Sequence, residues 1–159
     1  MKLTALLVTI TATTGVLSTP LSPDQTPNEP RAAALGINCR GSALCSDARA
    51  GKNAASRLQS FINAGIQGNR VYRNGEHIAC VDRTSLAAPS GGFCAFLQGT
   101  NRDVNGNNIR DLIGQIVGHG CKVCGSVPID FPGSNDPKNG ILTVNYVSST
   151  DNPCPEGLC

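Results

Sequence analysis

The sequence predicts an α+β fold, a two-layer sandwich in which two antiparallel helices cover one face of an antiparallel sheet of about five strands. Two segments carry apolar residues at helical spacing, and several others have strand composition and are separated by short turns. Eight cysteines accompany two tyrosines, four phenylalanines and no tryptophan. We therefore expect disulfide bonds to supplement a core made mainly of aliphatic side chains.

Three regions divide the chain. In residues 1–18, Lys2 precedes an apolar stretch that ends in small residues, a pattern typical of a signal peptide. The stretch is shorter than the roughly 20 residues that a membrane-spanning helix needs. Residues 19–34 contain four of the ten prolines and predict a disordered propeptide. Residues 35–159 contain every cysteine and have the length of one domain.

Both predicted helices have one apolar face. The first spans residues 48–64 and the second residues 108–118, which Asn107 or Asn108 can cap at the start and Gly118 or Gly120 at the end. The predicted core-facing side chains are Ala54, Ala55, Leu58, Phe61 and Ile62 in the first helix, and Ile109, Leu112, Ile113, Ile116 and Val117 in the second.

Five segments have strand character. Residues 70–73 and 76–81 flank Asn74-Gly75, a dipeptide typical of a type I′ turn, so we predict a hairpin there. The further strands are 93–98, 121–127 and 141–147, and in the last of these Leu142, Val144 and Tyr146 alternate with polar residues. Residues 128–140, rich in proline and glycine, predict a long surface loop.

Composition restricts the function classes. The net charge of +2 is too small for the dense basic surface that nucleic-acid binding favours. The export signal and the even cysteine count indicate a secreted, extracellular protein with fully paired cysteines. We expect a monomer that does not insert stably into a membrane, and no cofactor or metal.

Catalytic alternatives have weak signals. Cys121 and Cys124 have the spacing of a redox or zinc motif, but they follow the predicted end of a helix instead of opening one. His77 and His119 could serve as the base and acid of a secreted ribonuclease, although nothing in their spacing requires it. We therefore predict a protein that binds its target and is not an enzyme.

Four segments resemble the fungal killer toxin KP4 family: LGINCRGS at 35–42, AFLQ at 95–98, HGCKVCGS at 119–126 and LTVNYV at 142–147. The resemblance extends over residues 35–159. It implies an antiparallel sheet covered on one side by two antiparallel helices, and a secreted protein that restrains the growth of susceptible cells by interfering with calcium uptake. It also implies the disulfide pairs Cys39–Cys121, Cys45–Cys124, Cys80–Cys94 and Cys154–Cys159, whereas the sequence alone permits 105 pairings.

The chain departs from the family's founding member before Cys80, where residues 74–79 read NGEHIA in place of a basic cluster. Candidate target-binding residues are then Arg70, Arg73 and Arg83 around the predicted hairpin, together with His77. The expected partner is a cell-surface target of fungal or plant cells, such as a calcium channel. A second hypothesis is a secreted effector that binds a host or competitor surface component without blocking a channel.

Overall fold

The computed structural model describes residues 36–46, 52–82, 91–148 and 156–159. The predicted signal segment 1–18 and propeptide 19–34 lie outside these residues. In the described part, helices α1 (Ala54–Gly65) and α2 (Gly106–Gly118) pack against each other and against one face of a sheet. The predicted α+β class and sandwich architecture are confirmed.

The main sheet has five strands in the order β5-β6-β3-β2-β7, and all of its neighbours are antiparallel. A second, two-stranded sheet pairs β1 with β4. The strands are β1 (Val71–Tyr72), β2 (His77–Asp82), β3 (Gly92–Gln98), β4 (Val104–Asn105), β5 (Gly125–Pro128), β6 (Ile141–Val147) and β7 (Gly157–Leu158). The predicted strands 93–98 and 141–147 are therefore confirmed.

The predicted hairpin across Asn74-Gly75 is wrong, although a turn is present. Glu76 donates its backbone N–H to the Arg73 carbonyl at 3.1 Å, and Gly75 has a φ of 78°. A type I′ turn needs positive φ at both central residues, but Asn74 does not have it. The two flanking strands consequently diverge, β1 to β4 and β2 to β3 and β7.

Both helices begin at residues that the sequence did not predict. Helix α1 starts at Ala54 because Asn53, with a φ of 58°, forms a turn, and the earlier part of the predicted helix, 48–51, lies outside the described residues. The N-cap of α2 is Asn105, whose side chain accepts the Asn108 backbone N–H. The predicted N-caps, Asn107 and Asn108, are wrong, because both lie inside the helix. Of the predicted core-facing side chains, Phe61 and Val117 are only partly buried.

The end of α2 is a Schellman motif that directs the chain into the next segment. Gly120, with a φ of 95°, donates to the Val117 carbonyl, and Cys121 donates to the Ile116 carbonyl. The bend explains why the predicted strand 121–127 is wrong at its start: β5 begins only at Gly125. Cys121 and Cys124 thus lie in the irregular segment between α2 and β5.

The core lies between the helices and the sheet. Phe93, Ala95 and Leu97 of β3 face this core, whereas Cys94 belongs to a small cluster on the opposite face. The predicted polar face of β6 is partly covered: Thr143 is only 3% exposed, and its hydroxyl donates to the Gly125 carbonyl at 3.4 Å. The loop 128–140 connects β5 with β6, as predicted, and contains a short 3-10 helix at Pro137–Asn139.

Gly106, at the start of α2, lies close to the backbone carbonyl of Gln67, and this contact leaves no room for a side chain. A Cβ atom there would lie 2.2 Å from the Gln67 carbonyl oxygen, whereas at Gly118 it would meet nothing within 4 Å. We expect Gly106→Ala to lower the free energy of unfolding by about 1–3 kcal/mol because the backbone must shift. The matched control, Gly118→Ala, should be neutral or stabilise by up to about 1 kcal/mol. Chemical denaturation measures both, and equal effects would contradict the close approach.

Candidate target-binding site

Three disulfide bonds lie within the described residues. They join Cys39 to Cys121, Cys45 to Cys124 and Cys80 to Cys94, with Cα–Cα distances of 5.0, 5.6 and 4.1 Å. These are pairs that the KP4 resemblance implied. Cys159 is also disulfide-bonded, and its expected partner, Cys154, lies outside the described residues.

The pairing removes the redox and zinc interpretations of the Cys121-x-x-Cys124 motif. Each cysteine is bonded to a cysteine of the 39–45 segment, so neither provides a thiolate for metal or for exchange. His77 lies with Cys80 and Cys94 in a group whose potential ligand atoms are within 4.8 Å of one another. Those two cysteines are bonded to each other, which leaves no metal-binding thiolate pair there.

The turn between β1 and β2 brings together most of the predicted target-binding residues. We call the surface formed by Arg70, Arg73, Glu76 and His77 the turn face; the buried Tyr72 lies beneath Arg70. Arg83, the remaining candidate, lies outside the described residues. The turn face therefore contains three of the four residues that the sequence proposed.

Arg70 is held by contacts within the protein. Its guanidinium donates to Glu76 Oε1 at 2.7 Å and to the main-chain oxygen of Cys159 at 3.0 Å. It also stacks over the Tyr72 ring, with Cζ 4.5 Å from the ring centroid. Burial raises the pKa of Tyr72, and the positive charge of Arg70 offsets this only in part. Arg70 thus joins β1, the turn and the C-terminal residue.

Arg73 differs from Arg70. Its backbone N–H donates to Glu76 Oε2 at 2.9 Å, but its guanidinium makes no ion pair with any residue in the described part of the chain. The residue is exposed. Because Glu76 offsets the charge of Arg70, Arg73 is the cation of the turn face that is most available to a partner.

His77 has a partly buried ring at the start of β2. It packs against Phe96 with 5.6 Å between the ring centroids. This contact places His77 on the same sheet face as the Cys80–Cys94 bridge, beside the turn. His77 therefore contributes an aromatic contact to the sheet, at the border of the turn face.

The sequence did not indicate how the turn is anchored. Gly75 donates its N–H to the Leu97 carbonyl at 2.7 Å, and the Asn74 side chain accepts the Thr100 N–H at 3.1 Å. Tyr72 was also missed as a support for Arg70. These bonds tie the turn to the end of β3, so the turn face presents Arg73 from a fixed backbone.

The remaining surface has several local ion pairs. Arg57 binds Glu156, Arg102 binds Asp130, and Lys138 lies 3.3 Å from Asp136. None of the helices described is long and apolar enough to cross a membrane.

These features define the class of protein: a small α+β sandwich with long-range disulfide bonds and an anchored turn that carries exposed positive charge. Comparison with known proteins gives the family: the Kp4 family model matches residues 28–148, and the chain belongs to this family. The KP4 killer toxin of Ustilago maydis P4 virus is 37% identical over 115 residues, which cover 72% of this chain and 82% of the toxin. The resemblance seen in the sequence is thereby confirmed.

Proposed function

We propose that this protein is a secreted killer toxin that inhibits the growth of competing fungi or plant cells by interfering with calcium uptake through cation channels. The observation that supports the proposal most strongly is its similarity to the KP4 killer toxin across most of both chains. Membership of this family favours a toxin that acts by binding and not by catalysis.

The proposed route to the target is secretion. Residues 1–18 would act as the signal peptide and residues 19–34 as a propeptide, leaving residues 35–159 as the active domain. Disulfide bonds between distant segments are typical of proteins that fold in an oxidising compartment. The exported domain would reach its target from outside the cell.

Arg73 supplies the chemistry for channel binding in this proposal. Cation-selective pores carry rings of carboxylates or carbonyl oxygens, which attract a fixed positive charge. The anchored turn limits the backbone freedom that would be lost on binding. Arg70 supports the turn through Glu76 and Tyr72. His77, at the border of the turn face, and Arg83 are further candidates.

Glu76 favours the second candidate function, an effector that binds a surface component without blocking a channel. Its carboxylate pairs with Arg70 and lowers the net positive charge of the turn face. A partner that recognises the turn face by shape and hydrogen bonds would depend less on its positive charge than a strongly negative pore would.

Calcium separates the two functions. We expect growth inhibition of a fungal panel and of seedling roots by the oxidised protein, purified from culture medium, and relief of inhibition by several millimolar calcium chloride. Matched magnesium chloride is the control for ionic strength and divalent charge. Inhibition that both salts leave unchanged would contradict channel interference and favour the effector.

A further inference from the structure

A cavity of about 170 Å³ lies on the molecule between α2 and the loop that follows β5. Polar residues of α2 form one wall, since Asn108, Asp111 and Gln115 lie three and four positions apart and share a helix face with Leu112. The opposite wall belongs to the loop that contains Phe131. None of these residues belongs to the turn face.

The cavity combines an apolar floor with a polar rim. Leu112 and Ile129 are buried beneath it, and Phe131 is partly buried at its side. Asn108, Asp111 and Gln115 are exposed at the rim. Small-molecule sites have this arrangement, in which apolar surface provides contact and a few polar groups fix orientation.

The loop side of the cavity is held in place by hydrogen bonds. Ile129 donates its N–H to the Gly140 carbonyl at 3.1 Å, and Phe131 donates to the Pro128 carbonyl at 3.0 Å. Asp130 binds the Asn139 amide at 2.7 Å and the Arg102 guanidinium. These hydrogen bonds, chiefly that of Asn139, hold the pKa of Asp130 below its usual range although burial opposes them. The cavity is thus already formed without a ligand.

The lining indicates the chemistry of the ligand. Side-chain amides of Asn108 and Gln115 both donate and accept hydrogen bonds, as hydroxyl groups do. The carboxylates of Asp111 and Asp130 would repel an anionic ligand. A cationic ligand would also gain little, because Asp130 already has cationic and amide partners. An ion pair between such a ligand and the exposed Asp111 would contribute little to affinity. A neutral polyhydroxylated ring, with C–H groups that can pack on Phe131, fits these constraints best.

We infer that this cavity binds one neutral sugar ring, such as the terminal residue of a cell-wall polysaccharide. Its volume of about 170 Å³ is below the ~300–1,000 Å³ typical of sites for drug-sized ligands, which restricts it to a single ring. The site shares no residue with the turn face and does not depend on calcium interference. It would hold the protein at a wall surface while leaving Arg73 exposed.

An NMR titration of the oxidised protein tests the site directly. The probes are methyl β-glucoside, methyl α-mannoside and methyl N-acetyl-β-glucosaminide, with glucosamine and glucose 6-phosphate as charged comparisons. We expect saturable amide shifts confined to residues 108–115 and 129–132 with at least one neutral glycoside. The inference is overturned if no neutral glycoside gives saturable shifts, if shifts spread over the surface, or if only a charged sugar binds.

Surface variants locate the binding without disturbing the core. Asn108→Ala and Gln115→Ala each remove hydrogen bonds to a sugar hydroxyl and should raise the dissociation constant of the glycoside by about 2- to 10-fold. Asn63→Ala, on the exposed part of α1, is the matched control and should leave it unchanged. Unchanged affinity in both cavity variants would overturn the assignment. Growth and calcium measurements are not needed, so failure here is distinct from failure of the proposed toxin function.

Discussion

Removal of both long-range disulfide bonds is expected to lower the free energy of unfolding severely. The bridges Cys39–Cys121 and Cys45–Cys124 close loops of 82 and 79 residues and share nearly the same ends. In the chain-entropy treatment, losing both should cost about 7 kcal/mol. Domains of this kind have a free energy of unfolding of about 5–15 kcal/mol, so the loss takes away about half of it or more.

Removal of one bridge alone should be much milder. While Cys45–Cys124 remains, the Cys39–Cys121 bridge closes only the short loop made by residues 39–45 and 121–124. That loop has about ten residues, for which the expected loss is about 2.5–3 kcal/mol. The stability losses should therefore be non-additive. A variant with alanine at all four cysteines should lose about 2 kcal/mol more free energy of unfolding than the sum of the losses of the two variants that each lack one bridge.

Urea denaturation measures this coupling in four proteins: the unchanged protein, the two variants that each lack one long bridge, and the variant that lacks both. Alanine at both Cys80 and Cys94 provides the comparison, because this bridge spans 14 residues on adjacent strands and its ends are far in sequence from those of the two long bridges. Its loss should cost about 3 kcal/mol. Strictly additive losses for the two long bridges would contradict the shared-loop argument.

Signals carried by continuous stretches of sequence predicted much of the fold. The apolar stripe of α2 and the alternation in β6 depend on neighbouring residues. β6 has the predicted bounds, and α2 ends as predicted but begins two residues earlier, at Gly106. The strands β4 and β7 have two residues each, too few to show a period, and only their partners define them. Asn74-Gly75 signalled a turn correctly, but the direction of the chain after it depends on Leu97, which lies far away in sequence.

The candidate site was predicted by residue type and not by contact. The sequence placed Arg70 and Arg73 near the turn, yet it could not show that Glu76 and Cys159 accept hydrogen bonds from the guanidinium of Arg70 and not from that of Arg73. The cavity was missed because its walls come from separate segments. A usable signal existed in α2, where Asn108, Asp111 and Gln115 form a polar stripe beside Leu112.

Reversal of the charge at Arg73 is expected to lower the growth-inhibiting potency at least about tenfold, which corresponds to about 1.4 kcal/mol of binding free energy. The substitution Arg73→Glu replaces an exposed cation with an anion that the carboxylates of a pore would repel. The fold should be retained, because the guanidinium of Arg73 makes no ion pair within the described residues. The measurement is the dose–response curve of growth inhibition.

Lys122→Glu is the matched control. Lys122 is exposed, has no ion pair among the described residues and lies beside Cys121, away from the turn face, so its reversal changes the net charge equally. If net charge alone steers the toxin, both variants should lose potency to the same extent. If the turn face contacts the target, only Arg73→Glu should lose it. Full potency of Arg73→Glu with native disulfides would exclude Arg73 from the contact and leave Arg70, His77 and Arg83 as the remaining candidates.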